Sequence, residues 1–315
     1  MKINIAKTEI IKQNPGVIGI LQHIEKCGRV CYKSTSDLTK ETAIDFVSRM
    51  IKSGHGTTLE HGTVYMKIIL SSPITDKDYS SKLDAIIFYL YNNYSYVVNN
   101  SVVDNIIDIN TYYITTNFRV IVENNRIDDI EKYGCECTKY HIQRYTFQFT
   151  CDIGVSREFN RHRVHSPNEE STRYCNYLKD KFGSEIKYVL PAWLENKIEE
   201  INDKLEEYDF YDYCSLIADK KEMLQFDSID YWLFGLMSAE WCYNNLIKSG
   251  WKAQQARQVL NLNTQTTLIH TATFDEWQRF FKLRIDGSTG APHPNAKRSA
   301  SQAKELLDSN TKGSD

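Results

Sequence analysis

Hydrophobic residues change their period several times along the chain, and each change marks an element. A short strand over residues 2–5 leads into a helical pattern over 17–27. Ala43, Phe46, Val47, Met50 and Ile51 then recur at helical spacing, and Gly54 follows them where a helix-ending glycine belongs. A strand is predicted over 63–70. Residues 145–152 alternate: Tyr145, Phe147, Phe149 and Cys151 on one face, Thr146, Gln148, Thr150 and Asp152 on the other, the pattern of a half-buried strand. Gly154 and Ser156 open a short helix that runs toward Arg161. Further on, an amphipathic helix over 230–248 is ended by Gly250, and a second helix covers 253–260. A strand over 266–273 precedes a last helix, which begins at a capping box of Thr273 with Glu276 and runs to Arg284.

Residues 72–145 read differently, with polar patches around a helical piece at 83–94 and a piece rich in β-branched residues at 112–123. They read as an insertion that covers the site, extends a subunit contact or lies on the surface. Beyond Lys297 the chain is polar and is expected to fray. The elements predict an α/β (α+β) fold with a central antiparallel or mixed sheet flanked by helices. The predicted organisation is one catalytic domain, 1–71 and 146–296, interrupted by the 72–145 insertion and followed by a polar tail, 297–315.

Composition narrows the function classes. The 315 residues, 41% hydrophobic and 25% charged, are ordinary for a globular chain. Lys and Arg total 38 against 41 Asp and Glu, a net charge of −3, which argues against nucleic-acid binding. An anionic ligand must then be held by a local group of arginines. The eight cysteines include no C-x-x-C pair, so a zinc ribbon or thioredoxin-like site is not expected. The N-terminus lacks the apolar run of a signal peptide. The greasiest stretch, 232–247, is interrupted by Ser238, Glu240, Asn244 and Asn245, too polar to span a bilayer. The expectation is a reduced, cytoplasmic protein without nucleic-acid or membrane partner.

The chemistry concentrates in residues 161–174, RHRVHSPNEESTRY, directly after the alternating strand and short helix. Three guanidiniums in a segment without apolar periodicity suit phosphates and polarised carbonyls. A salt-bridged surface loop, with Glu169 and Glu170 as partners, is the other reading of that composition. As metal ligands, His55 and His61, six apart across a loop, have poor spacing; His162 and His165, three apart, are better placed but lack a nearby Asp/Glu-His pattern, and no metal is expected.

The order of the residues goes further. The segment matches R-H-R-x-x-S-x-N-x-x-S-x-R-Y, including Ser166, Asn168, Ser171, Arg173 and Tyr174, and so resembles the signature of the flavin-dependent thymidylate synthases. Residues 54–61, GHGTTLEH, resemble that family's G-H-x-(S/T)-x-x-E-H. Ala256-Arg257-x-x-Leu260 resembles its A-R-x-x-L-P, and FFKLR over 280–284 stands where the family has its closing L-R. The resemblance covers about residues 1–70 and 145–296.

What the resemblance implies is methylation of dUMP to dTMP, with FAD as cofactor and 5,10-methylenetetrahydrofolate and NADPH as co-substrates. No cysteine nucleophile is involved, and the enzyme is a homotetramer with shared active sites. His55, Thr57, Arg161, His162, Arg163 and Glu169 are assigned to FAD, with Glu169 at a position that resembles a nucleotide contact as well. Glu158, Ser171, Thr172, Arg173, Arg257 and Arg284 are assigned to dUMP, with Arg284 as the catalytic cation at the uracil edge; alone, Arg284 would read as a cation neutralising a helix end. The chain departs from the family at Asn261, in place of proline, and at Thr273-Phe274-Asp275, in place of an N-x-R flavin contact. Asn117 and Arg119, in Thr116-Asn117-Phe118-Arg119, are the candidate replacement, against the alternative of a polar strand edge.

Overall fold

The computed structural model describes every residue except 35–36, 72, 75, 105–106, 181–182, 220–224 and 312–315, and only the backbone of 101–104 and 107–109. In chain order the strands are β1 (Lys2–Asn4), β2 (Lys7–Ile11), β3 (Thr63–Leu70), β4 (Tyr96–Asp104), β5 (Ile107–Asn117), β6 (Arg144–Asp152), β7 (Ser166–Glu169), β8 (Lys187–Val189) and β9 (Gln265–Thr273). The first helices are α1 (Gly16–Arg29), α2 (Lys40–Lys52), α3 (Gly56–Leu59), α4 (Tyr79–Tyr91), α5 (Phe118–Glu123), α6 (Ile127–Tyr133) and α7 (Ile153–Phe159). They are followed by α8 (Ile198–Glu207), α9 (Phe210–Ala218), α10 (Ser228–Lys248), α11 (Ala253–Ala256), α12 (Phe274–Arg284) and α13 (Pro294–Thr311).

The central sheet has the order β2-β6-β9-β7 and is antiparallel throughout. The alternation read from the sequence sets its two faces. Phe147, Phe149 and Cys151, with Leu268 and Ala272, are buried against Val155 and Phe159 of α7, Trp277, Phe280 and Phe281 of α12, and the alanines of α13. The opposite face is buried where α1 covers it and packs Cys27 against Ile11 and Ile269. Polar groups there must find partners inside the protein. They form a seam: His23 Nε2 lies 2.9 Å from Thr146 Oγ1, Thr146 Oγ1 2.7 Å from Thr271 Oγ1, and Thr271 Oγ1 2.7 Å from His61 Nδ1.

A second sheet, β3-β5-β4, is built largely from the segment expected as an insertion. It packs Val64, Met66, Ile68 and Ile114 against α1, α2, α4 and α5 through Ile24, Phe46, Tyr89 and Ile121. Residues 110–117 are thus paired along the whole of β3. Around the short parallel pair β1-β8, α8, α9 and α10 bury Tyr188, Ile201, Tyr213 and Leu233. Among the described residues, no helix is long and apolar enough to cross a membrane.

Two expectations are corrected. Residues 297–311 do not fray: α13 runs to Thr311 and buries Ala296, Ala300, Ala303 and Leu307, a stripe of mostly small residues that lets the helix lie close to the sheet, and 312–315 lie outside the described residues. Residues 118–123 leave the extended conformation despite their β-branched content. Asn117 Oδ1 accepts the Val120 N–H at 3.1 Å and starts a helical turn there.

The buried seam makes stability depend on pH. Burial, followed by the charge of Arg144 and others, lowers His23 to about 4, and burial holds His61 well below its ordinary value. The unfolded chain protonates both near 6.5, so their contribution is complete above that pH and is lost as pH falls toward 4. Each buried imidazole then costs about 1.4 kcal/mol per pH unit within the window. Urea melts between pH 7 and 4.5 should show stability falling by at least this slope; a flat profile would mean that the imidazoles are not held neutral.

Candidate active site

β6 delivers the chain to the site. Asp152, its last residue, accepts the Val155 N–H at 2.8 Å and so starts α7. After two turns the chain folds back, with His162 N–H donating to the Phe159 carbonyl at 3.0 Å, and enters β7, which pairs with β9 from Ser166↔Thr271 to Glu169↔Leu268. A second turn follows: Ser171 N–H donates to the Cys31 carbonyl at 3.1 Å, and Cys175 N–H donates back to the Ser171 carbonyl at 2.9 Å. The arginine-rich segment is therefore two turns joined by a strand, both held by backbone hydrogen bonds.

The predicted residues fall into three groups. In the first, Arg284, from the last turn of α12, donates to Glu158 Oε2 at 2.7 Å, to the Glu158 carbonyl at 2.5 Å and to His162 Nε2 at 3.1 Å. A guanidinium only donates, so the His162 proton sits on Nδ1. Partial burial and the Arg284 charge lower His162 to about 4, which leaves a neutral ring against a fixed cation.

The second group lines a cavity of about 470 Å³: Arg173, Arg257, Ser171, Thr172 and Glu169, with Arg157 of α7. Arg257 donates to Thr172 Oγ1 at 3.1 Å. Glu169 accepts from Asn160 Nδ2 at 3.0 Å and from Thr266 Oγ1 at 3.2 Å. Most arginines elsewhere are neutralised: Arg29, Arg119, Arg126, Arg279 and Arg298 each pair with a carboxylate. Among the described residues, Arg157, Arg161, Arg163, Arg173 and Arg257 do not, and outside this region the same holds only for Arg49 and Arg144.

The third group lies at α3. His55 and Thr57 are exposed there, and α3 packs against β7. Arg119 reaches the same place from α5, bonding Glu60 and Glu123 at 2.7 Å each. It passes so close that a Cβ on Gly56 would lie 2.7 Å from its Nε, so a side chain there would make Arg119 shift. Asn117 is buried and spends its side-chain oxygen on capping α5.

Reading of the sequence passed over Arg157, Asn160, Thr266 and His270. Arg157 carried a signal, since it stands one helical turn before Arg161. Thr266 and His270 carried none, because only the pairing of β9 with β7 brings them to the motif.

Residues 111–307 match the family described as thymidylate synthase complementing protein. The chain belongs to that family. Relatives named flavin-dependent thymidylate synthase include one from Tropheryma whipplei (strain TW08/27), 27% identical over 188 residues, which are 58% of this chain and 68% of the relative. Another, from Thermosipho africanus (strain TCF52B), is 27% identical over 155 residues, 49% of this chain and 60% of the relative. Two solved structures of a UMP/dUMP methylase PolB from Streptomyces cacaoi, bound with 5-Br dUMP and 5-Br UMP, align with a TM-score of 0.41. They are 13% and 15% identical and cover 98% of this chain and 93% and 91% of theirs. The family match contains the first two residue groups, with Asn117 and Arg119; His55 and Thr57 lie before it.

The tie between Arg284 and His162 can be tested in this family member directly. Replacing Arg284 with Ala should raise the His162 pKa from about 4 toward 6.5 without reaching it, because burial is the larger cause. Arg284→Lys, which keeps the charge, should restore most of the depression. An NMR titration of His162 that did not move in the alanine variant would refute the coupling.

Proposed function

We propose that the chain methylates dUMP to dTMP, with FAD as cofactor, 5,10-methylenetetrahydrofolate as one-carbon donor and NADPH as reductant. The observation that carries this reading is the set of arginines left without carboxylate partners in and around the 161–174 segment. In a chain with a net charge of −3, such a group suits anionic ligands. The relatives' names supply the reaction class.

The residues suit FAD. Arg161 and Arg163 are exposed and lack carboxylate partners among the described residues, as a pyrophosphate would require. His162 offers a flat neutral ring, and Glu169 two acceptor oxygens. His55 and Thr57, with Arg119 beside them, complete the proposed flavin contacts; Asn117, committed to its cap, is the weaker candidate. Reduced FAD, when bound, would supply the hydride that reduces the pyrimidine.

The remaining roles belong to the chain. Ser171, Thr172, Arg173 and Arg257 hold the nucleotide phosphate, with Arg157 added from the cavity wall. Arg284, fixed in direction by Glu158, meets the uracil edge. A preorganised cation there stabilises negative charge developing at N3 and O4, so that C5 can act as a carbon nucleophile. No cysteine is required: Cys151 and Cys175 are buried, and burial raises the Cys151 thiol far above its ordinary value, which keeps it protonated. The working form is a cytoplasmic homotetramer, in which His55 and Thr57 of one subunit serve the RHR turn of another.

The purified protein should be yellow and should oxidise NADPH only when dUMP is present. Arg173→Ala should weaken dUMP binding by about tenfold or more while leaving the protein folded and yellow. Unchanged affinity for dUMP would remove the phosphate assignment, and a colourless protein unable to take up FAD would remove the whole reading.

A further inference from the structure

Behind Glu169, on the aromatic face of the central sheet, two histidines are buried where the surroundings ask for apolar residues. His165 packs with its ring centre 4.5 Å from Trp277 and 5.7 Å from Phe280, and His270 is fully buried beside Phe149. Neither belongs to the motif residues assigned above. Their Nδ1 atoms face each other at 3.2 Å, and His270 Nε2 lies 3.1 Å from Asn160 Oδ1. Asn160 in turn reaches Glu169, which lines the arginine cavity.

We infer that Asn160, His270 and His165 form a one-way hydrogen-bond relay that ends on Glu169 and holds its carboxylate in place at the nucleotide cavity, which makes Asn160 and His270 positioning residues. Their role rests on the proposed function; the direction of the relay does not.

That direction follows from elementary donor and acceptor chemistry. A carboxylate only accepts, so Asn160 must turn its Nδ2 toward Glu169. Its Oδ1 then faces His270, and a carbonyl oxygen cannot donate, so His270 carries its proton on Nε2. His270 Nδ1 is left as a lone pair, and the contact with His165 Nδ1 needs a hydrogen, which His165 must supply. His165 Nε2 is then a bare acceptor, and this atom is buried without a hydrogen-bond partner. A doubly protonated His270 is ruled out by its surroundings: burial, and then the neighbouring histidines, hold it well below its ordinary pKa, and His165 is lowered to about 3. The Glu276 backbone works the other way on His165, but burial is the larger cause. Reversing the relay would set the Asn160 carbonyl against the Glu169 carboxylate at 3.0 Å, a repulsive contact.

The consequence is a rule for the ligand. Two of the carboxylate's roughly four lone-pair sites are taken by Asn160 and Thr266. A nucleotide must therefore bring an N–H or O–H to the rest, such as a sugar hydroxyl or a pyrimidine N–H. Asn160 is itself exposed, so it is the link through which a buried imidazole steadies a carboxylate on the cavity wall.

The test reads tautomers and affinity together. In protein labelled with ¹⁵N-histidine, long-range ¹H–¹⁵N correlation should show His165 as the Nδ1–H tautomer and His270 as the Nε2–H tautomer at neutral pH. Asn160→Ala should release His165 to the common Nε2–H form and weaken dUMP binding at least about threefold, with an unchanged circular dichroism spectrum. His270→Gln, which keeps a donor toward Asn160, should retain most of the affinity that His270→Phe loses. Native His165 found as the Nε2–H tautomer would overturn the relay. So would a dUMP affinity indifferent to Asn160→Ala in a native protein that binds dUMP. If the native protein binds no dUMP, the functional reading fails, and the tautomers alone decide the relay.

Discussion

The register between β6 and β9 sorts the chemistry of this protein. Pairing runs from Arg144↔Thr273 to Asp152↔Gln265, so Phe147 stands beside His270, and Thr146 beside Thr271. A slip of one residue would turn every side chain of β9 to the other face. Thr271 would leave the seam that joins His23 to His61, and His270 would leave the aromatic layer where it meets His165. The register is protected from both sides. Phe147, Phe149 and Leu268 gain about 1.5–3 kcal/mol each by burial on one face, while on the other face hydroxyls and imidazoles have no solvent to fall back on.

A second constraint is the distribution of charge. The chain carries more acid than base, yet most arginines of the 161–174 region find no carboxylate. Glu169 and Glu170, the residues that a salt-bridged loop would have used, are occupied otherwise. Glu169 accepts from Asn160 and Thr266, and Glu170 from Lys33 and Tyr177. Diverting the nearby carboxylates to neutral donors and a lysine keeps the guanidiniums available. The exception is Arg284, whose carboxylate partner Glu158 fixes its direction; that restraint suits a group that must meet one edge of a ring.

Much of this was legible in the residues themselves. The β6 alternation, the α10 amphipathic run and the Gly54 stop each express a local physical rule, and local rules survive folding. Thr273 does cap α12, although Glu276 turns to Arg279 and does not complete the box. What the sequence hid is what depends on partners far along the chain. β7 looks like part of a polar loop until β9 pairs with it, and the α13 alanines look like a bland tail until they meet the sheet. Residues 118–123 have strand-forming composition, but a single capping oxygen on Asn117 decides for helix. The motif could be read as a site because it shows no apolar periodicity; His270 escaped notice because nothing local separates a working histidine from a buried one.

The central strand, the arginine turn and the C-terminal helix meet at Asp152. Its Oδ1 starts α7 and so aims the turn that carries Arg161 to Arg163. Its Oδ2 accepts from Asn295 Nδ2 at 2.8 Å, and Asn295 Oδ1 accepts the Ala192 N–H at 2.8 Å. One buried carboxylate thereby ties the end of the central strand, the arginine turn, the C-terminal helix and the entry to the helical region. Strand alternation placed Asp152 on the polar face, where a solvated side chain would be unremarkable. Buried, it needs partners inside the protein, and the two groups that bond it, the Val155 N–H and Asn295, belong to elements whose relative positions define the site. The C-terminal helix is for this reason part of the catalytic framework, since α7 and α13 share the residue that fixes both.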